Sequence, residues 1–203
     1  VYKRQFFPRA VDIAIFEGMG KPKLPKPAVL VAAVMAQGRE ILDRAKGELE
    51  DLFGPVAMES SAFPFTFTRY YEEEMGPGLI KQFVAFRRPI RPDDLASVKL
   101  LTNAIEDHMA VSRGGRRLRR ANIDPGYVTP SRLVLATTKD YSHRIYIGKG
   151  IYAEVTLIFR KGTWRPLEWT YPDYRTELAL EFFGRVRKHL LRFTPCKPWV
   201  SDR

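Results

Sequence analysis

Val29 to Met35 is an uninterrupted apolar run, the pattern of a strand covered on both faces. Gly38 to Phe53 then switches to helical spacing. Ile41, Leu42, Ala45, Leu49, Leu52 and Phe53 share one face, and Arg39, Glu40, Asp43, Lys46 and Glu50 lie away from it. Gly54-Pro55 ends that helix. Val56 to Ser61 reads as a short second strand. An aromatic loop follows, Phe63-Pro64-Phe65-Thr66-Phe67 and then Tyr70-Tyr71-Glu72-Glu73-Glu74, until Met75-Gly76-Pro77-Gly78 breaks the chain. Lys81 to Arg87 alternates as a third strand, with Phe83 and Ala85 opposite Val84 and Phe86. Pro92-Asp93-Asp94 opens a second helix with carboxylates at its positive end. Its buried stripe is Leu95, Val98, Leu101, Ile105 and Met109. After Gly114-Gly115, the segment Arg117 to Ile123 reads as a fourth strand.

That order, β-α-β-β-α-β, predicts an α+β fold with a ferredoxin-like core, an antiparallel sheet and both helices on one face. The remainder extends it. Thr129-Pro130 has the residues of a helix start, so a short helix is expected to about Thr137. Arg144–Ile147 and Ile151–Arg160 form a hairpin through Gly148-Lys149-Gly150. Thr163–Glu168 is an edge strand, because Pro166 cannot donate to a ladder. Arg175–Leu191 is a C-terminal helix with Ala179, Phe182, Phe183, Val186 and Leu190 inward. Neither a repeat nor a long linker interrupts residues 19–193, so one domain is expected there. Residues 194–203 read as a tail. Val1-Tyr2-Lys3-Arg4-Gln5 resembles a translated sequencing adapter, so residues 1–18 are expected to be a non-native leader, with Met19 as the start.

Composition adds little to the architecture but narrows the partners. Formal net charge is +11 and the pI is near 9.9. This balance favours anionic partners such as nucleotides, phosphorylated metabolites or RNA, though a basic surface also simply keeps a protein soluble. The single cysteine, Cys196, excludes an internal disulfide and a cysteine-built zinc ribbon, and fits a reducing, cytoplasmic compartment. No stretch reaches the roughly 18 to 20 apolar residues of a membrane helix.

Familiar catalytic signatures are absent. There is no G-x-x-x-x-G-K-[ST], so a P-loop is unsupported. There is no G-x-S-x-G elbow and no H-E-x-x-H. The densest polar cluster lies in Asn122-Ile123-Asp124-Pro125-Gly126-Tyr127 and in Thr137 to Tyr146. Both segments are expected as loops beside the short helix, so they can meet at one end of the sheet. Asp124, Asp140 and His143 are the candidate catalytic groups. The aspartates suit a general base or a divalent metal, and histidine titrates near neutral pH. Lys139 and Arg144 suit a phosphate or carboxylate. Tyr127 and Tyr146 would line the pocket. Glu154, inside an apolar strand, is either solvated or partnered in a cleft. Each has a plainer alternative: Asp124 before Pro125-Gly126 is a common turn residue, Asp140 can pair with a neighbouring cation, and His143 can bond a carbonyl.

Arg113, Arg116, Arg117, Arg119 and Arg120 are the candidate nucleic-acid residues, gripping phosphates from a strand or loop. Glu72-Glu73-Glu74 would solvate a loop.

Several of these runs carry a family likeness. Met19-Gly20-Lys21-Pro22, Phe63-Pro64-Phe65, Tyr70 to Gly78, Asn122 to Tyr127, Thr137 to Tyr152 and Trp169-Thr170-Tyr171-Pro172-Asp173-Tyr174-Arg175 together resemble the bacterial and archaeal family of domain of unknown function 4416. The resemblance spans roughly Met19 to Leu191 and implies one intact domain. It implies no activity, and it draws Trp169 to Arg175 towards the site, where Asp173 would otherwise cap the final helix and Trp169 pack. Three readings follow: a binding protein or enzyme for a small phosphorylated or nucleotide-like anion, an RNA-binding module, and a protein-interaction partner presenting Phe63 to Tyr71.

Overall fold

The computed structural model describes residues 23–192. The expected leader, the start at Met19, the tail and Cys196 lie outside these residues. The strands are β1 (Ala28–Gln37), β2 (Val56–Glu59), β3 (Phe63–Pro64), β4 (Leu79–Ile90), β5 (Val111–Arg113), β6 (Arg116–Leu118), β7 (Ala121–Val128), β8 (Arg132–Thr137), β9 (Ile145–Gly148), β10 (Ile151–Arg160) and β11 (Thr163–Pro166). The helices are α1 (Arg39–Phe53), α2 (Glu72–Met75), α3 (Leu95–Met109) and α4 (Glu177–Arg192). Short 3-10 turns, Pro92–Asp94 and Pro172–Arg175, lead into α3 and α4.

This is a mixed α+β fold around one nine-stranded antiparallel sheet, in the order β11-β10-β8-β7-β1-β4-β2, with β3 on β4 and β9 on β10. The sequence reading expected seven strands, four in the core, two in the hairpin and one at the edge; β3 and β8 are the additions. β1 is central, and its alternating residues feed two cores. Leu30, Ala32, Val34 and Ala36 meet Leu42, Leu49, Phe53, Val98 and Ile105 of α1 and α3. Val29, Val31 and Ala33 belong with Phe183 and Val186 of α4 on the opposite face. The period-2 side-chain alternation of a strand makes an all-apolar run the requirement for a layer covered twice. The α4 core is aromatic: Phe83 packs on Tyr174, Phe182 and Phe183 with centroids 5.1, 5.9 and 5.3 Å apart. α1 stops at Gly54, whose φ of 84° suits glycine and whose N–H donates to Glu50 O at 2.8 Å.

The structure corrects the sequence reading at two places. Arg117–Ile123 is not one strand. β5 and β6 form a separate hairpin turning at Gly114-Gly115, and β7 starts only at Ala121. Nor is there a helix after Thr129-Pro130: Arg132–Thr137 is β8. Thr129 does bond nearby N–H groups, accepting from Ser131 and Arg132 at 3.3 and 3.1 Å, but in a hairpin turn. Leu133, Val134, Leu135 and Ala136 are buried alternately on both sheet faces. That packing overrides the local helix-start signal.

Candidate functional site

The site begins with an interrupted strand pair. β7 and β8 are paired at Gly126↔Leu135, Tyr127↔Val134 and Val128↔Leu133. A Cβ on Gly126 would come within 2.3 Å of Val134 O, so only glycine permits this approach. Pairing stops at Pro125, which has no N–H to give. Beyond it, the backbone of Ile123 is met by side chains of α3. Its N–H donates to Glu106 Oε1 at 2.6 Å, and its carbonyl accepts from Lys99 Nζ at 2.7 Å. Two buried charged side chains thus satisfy backbone groups that a continuous ladder would have paired.

The gap opens into a cleft of about 780 Å³, within the size range of small-molecule sites. Its floor is a row of alternating charges. Lys81 Nζ donates to Asp173 Oδ2 at 2.7 Å and lies 4.0 Å from Asp124 Oδ2. Lys99 Nζ lies 3.9 Å from Asp124 Oδ1. Asn122 Nδ2 donates to Asp124 Oδ2 at 3.0 Å. Lys81, Lys99 and Asp173 are all buried. At one end Arg119 clamps Glu74 through Nε and Nη2, at 2.8 and 2.7 Å, and reaches Glu106 at 3.2 Å and Asn122 at 3.0 Å. Those hydrogen bonds to Glu74 push the guanidinium pKa up and draw the Glu74 carboxyl below its ordinary value. Burial raises Glu106.

Aromatic side chains form the walls. Phe65, Phe67, Tyr70, Tyr71, Tyr141 and Tyr171 are all among the residues that line the cleft. Lys81 Nζ sits 5.2 Å from the Phe65 ring centroid and 5.1 Å from that of Tyr174. Burial pushes the hydroxyls of Tyr71 and Tyr174 well above the ordinary tyrosine range. Beside Tyr141, Arg144 Nε donates to Glu154 Oε2 at 2.8 Å, Nη1 to Lys139 O at 3.0 Å and Nη2 to Tyr171 Oη at 2.9 Å. His143 Nε2 lies 3.2 Å from the same Glu154 oxygen, and its ring stacks on Trp169 with centroids 5.2 Å apart.

Asp124, Lys139, Arg144 and Glu154 therefore line one cleft. Asp124 does so from within β7, not from a turn. Glu154 is buried and partnered, not solvated. His143 stands behind the wall, where it supports Glu154. Asp140 is exposed and bonded to the Tyr152 hydroxyl, outside the cleft. Tyr127 packs in the cores beneath α1 and α3. Tyr146 is 58% exposed, and its hydroxyl accepts from Gly150 N–H. Neither tyrosine lines the cleft: Tyr127 faces the opposite side of the sheet, and Tyr146 packs across the strand pair on Tyr152, with ring centroids 5.4 Å apart. Among the described residues, no three His, Cys, Asp or Glu side chains are grouped to hold a metal ion. Asp124 has lysines for neighbours, not Asp140.

The arginine run divides. Arg113, Arg116 and Arg117 are exposed on the β5–β6 hairpin, with Arg116 3.5 Å from Glu73 and Arg117 donating to Asp107 O. Arg120 is half-buried, and Arg119 is spent on the cleft. Glu74 is thus an ion-pair partner and not merely a solvating residue. The Phe63–Tyr71 loop is partly buried, with Phe63 in the α4 core and Phe65 and Tyr71 against Met35, Met75 and Leu79. Asp173 does not cap α4; Thr176 does, its hydroxyl accepting from Ala179 N–H at 3.2 Å.

Sequence reasoning missed Lys81, Lys99 and Glu106, and reached Tyr174 only as part of the Trp169–Arg175 run that the resemblance drew towards the site. The first three had a readable signal, being charged residues at core spacing. Lys99 and Glu106 share a face with Leu95 and Thr102 on α3, and Lys81 shares one with Phe83 and Ala85 on β4.

No helix among the described residues is long and apolar enough to cross a membrane. No curated protein and no solved structure matches the chain. One family model does match, that of domain of unknown function 4416, over residues 26–190. Most of the chain is covered, including every residue of the cleft, and the chain belongs to that family.

Proposed function

We propose that the cleft binds a small ligand carrying a phosphate or phosphate-ester group beside a flat ring, a nucleotide-like anion. One observation carries this reading. Lys81, Lys99, Arg119 and Arg144 each have a carboxylate within 4.0 Å. Lys139 has none among the described residues, and its ammonium sits 4.8 Å from the Tyr70 ring centroid at the aromatic wall. An unneutralised cation beside stacking surfaces suits an anion attached to a ring. The other cations are already paired and serve to hold the floor. The low cysteine count makes the cytoplasm the place to look for the ligand.

In the same reading, β7-β1-β4-β2 with α1 and α3 is the ferredoxin-like core, and the strands beyond β7 are the extension that creates the cleft. RNA binding is less favoured, since Arg116, Arg117 and Arg119 already have partners.

Thermal unfolding with inorganic phosphate and adenosine 5′-monophosphate (AMP) tests the proposal. AMP raises the Tm of the wild type, and the rise is lost in Lys139→Ala. Because Lys139 is exposed, its removal leaves the ligand-free Tm within about 1 °C, a surface-substitution effect. Arg144→Ala and His143→Ala strip partners from buried Glu154 and lower the ligand-free Tm as well, so they are the less diagnostic variants. A wild type indifferent to both probes refutes the reading.

A further inference from the structure

Two polar atoms of the cleft are left without the partners their surroundings demand. Tyr174 is 2% exposed, and its hydroxyl has no hydrogen-bond partner among the described residues. A buried donor left unmet is destabilising. Phenylalanine would fill the same space without that penalty, since the ring's contacts with Phe83 and Phe183, at 5.1 and 5.9 Å, do not involve the hydroxyl. Tyr174 nevertheless lines the cleft beside Lys81 and Asp173. The second atom is Asp124 Oδ1. Its sister oxygen accepts from Asn122, but Oδ1 has only the Lys99 ammonium, at 3.9 Å, beyond hydrogen-bond reach. The Asp124 side chain is 34% exposed, so this acceptor opens into the cleft.

We propose that Asp124 and Tyr174 form a subsite for a sugar diol. One hydroxyl of the diol donates to Asp124 Oδ1, and its neighbour accepts from Tyr174 Oη. A carboxylate set against ribose hydroxyls is a recurrent solution to sugar recognition, and a diol supplies both the donor and the acceptor that the floor lacks. Lys81 and Lys99 hold Asp124 from either side and keep the carboxylate in place. The ligand class is a phosphate ester of a diol-bearing sugar, either a free phosphosugar or the ribose of a nucleotide. The assignment rests on Lys139 as the phosphate contact.

Titration calorimetry tests it with ribose 5-phosphate, AMP, the 2-deoxy counterpart of each, and inorganic phosphate. The ribo compounds bind at least about ten-fold tighter than their deoxy counterparts, a modest return for hydrogen bonds to a sugar hydroxyl. Tyr174→Phe and Asp124→Asn reduce that ratio towards unity. In ligand-free Tyr174→Phe the Tm is unchanged or higher, because an orphan donor has been removed. AMP binding tighter than ribose 5-phosphate assigns the nucleotide, through the aromatic walls; equal binding assigns the free phosphosugar. Ribo and deoxy compounds binding alike, with phosphate binding intact, overturns the diol subsite and leaves the anion reading standing. No binding by any probe removes both. A lower Tm in Tyr174→Phe overturns the assignment too, because the hydroxyl would then be structural.

Discussion

Arg119 ties Glu74 of α2, Glu106 of α3 and Asn122 of β7 into one network, and its pH response is predictable. Arg119 hydrogen bonds hold Glu74 below its ordinary 4.5. A depressed carboxylate contributes stability that is present above the unfolded value and lost as pH falls through the folded one. Glu106, raised by burial, is also drawn down by Arg119, so losing Arg119 acts in the same direction there. Arg119→Gln should therefore cost about 2 kcal/mol near neutral pH, the scale of a hydrogen bond between charged groups. The gap from wild type should narrow as pH drops below 4.5. Urea unfolding of both proteins between pH 3 and 7 measures it; a gap independent of pH assigns Arg119 a packing role instead. At this scale the sequence was partly legible. Four of the residues singled out there line the cleft: Asp124, Lys139 and Arg144 stood out as polar residues in dense runs, and Glu154 as a carboxylate inside an apolar strand. The state of the Tyr174 hydroxyl was not legible, because an orphaned hydroxyl exists only relative to what surrounds it.

At the scale of elements, the cleft depends on where β7 and β8 part. Gly126 brings the strands together, and Pro125 ends their ladder one residue away. Gly126→Ala places a methyl against Val134 O and Leu135 Cδ2, at 2.3 and 2.6 Å before relaxation. Backbone cannot yield as a flexible side chain does, so a loss of about 2–3 kcal/mol is expected, the upper range for overpacking. Chemical denaturation reports it, and a loss below about 0.5 kcal/mol would show that the strand pair is not held this tightly. Pro125-Gly126 reads locally as a turn, and Thr129-Pro130 as a helix start. Both signals are real in kind but local in range. The strand was selected by partners on either side: β1 pairs with β7 from Val29↔Val128 to Ala36↔Ala121, and β10 pairs with β8 along Ala136 to Arg132.

For the whole molecule, the site is assembled from segments far apart in the chain. The Lys81–Asp173 pair alone joins residues 92 positions apart. A ligand that bridges these segments should therefore stabilise them together. With AMP at about 100 times its Kd, global stability should rise by about 2.7 kcal/mol. Hydrogen exchange should slow at 65–71 and 137–144 in concert, while the β5–β6 hairpin at 111–118 is unaffected. Protection of the hairpin instead would move the binding surface to the arginines. The sequence by itself determined the twice-buried β1, the amphipathic helices α1, α3 and α4, the β9–β10 hairpin, the edge strand β11 and the family. Each is written in residues that are neighbours along the chain, where periodicity and turn chemistry act. Only the tertiary structure decided that Asp124 stands in a strand, that Lys81, Lys99 and Glu106 are buried charges with partners, and that Tyr127 faces the opposite core. Those outcomes depend on which strands pair and which face each side chain takes, and a shift of one residue in register reverses every face.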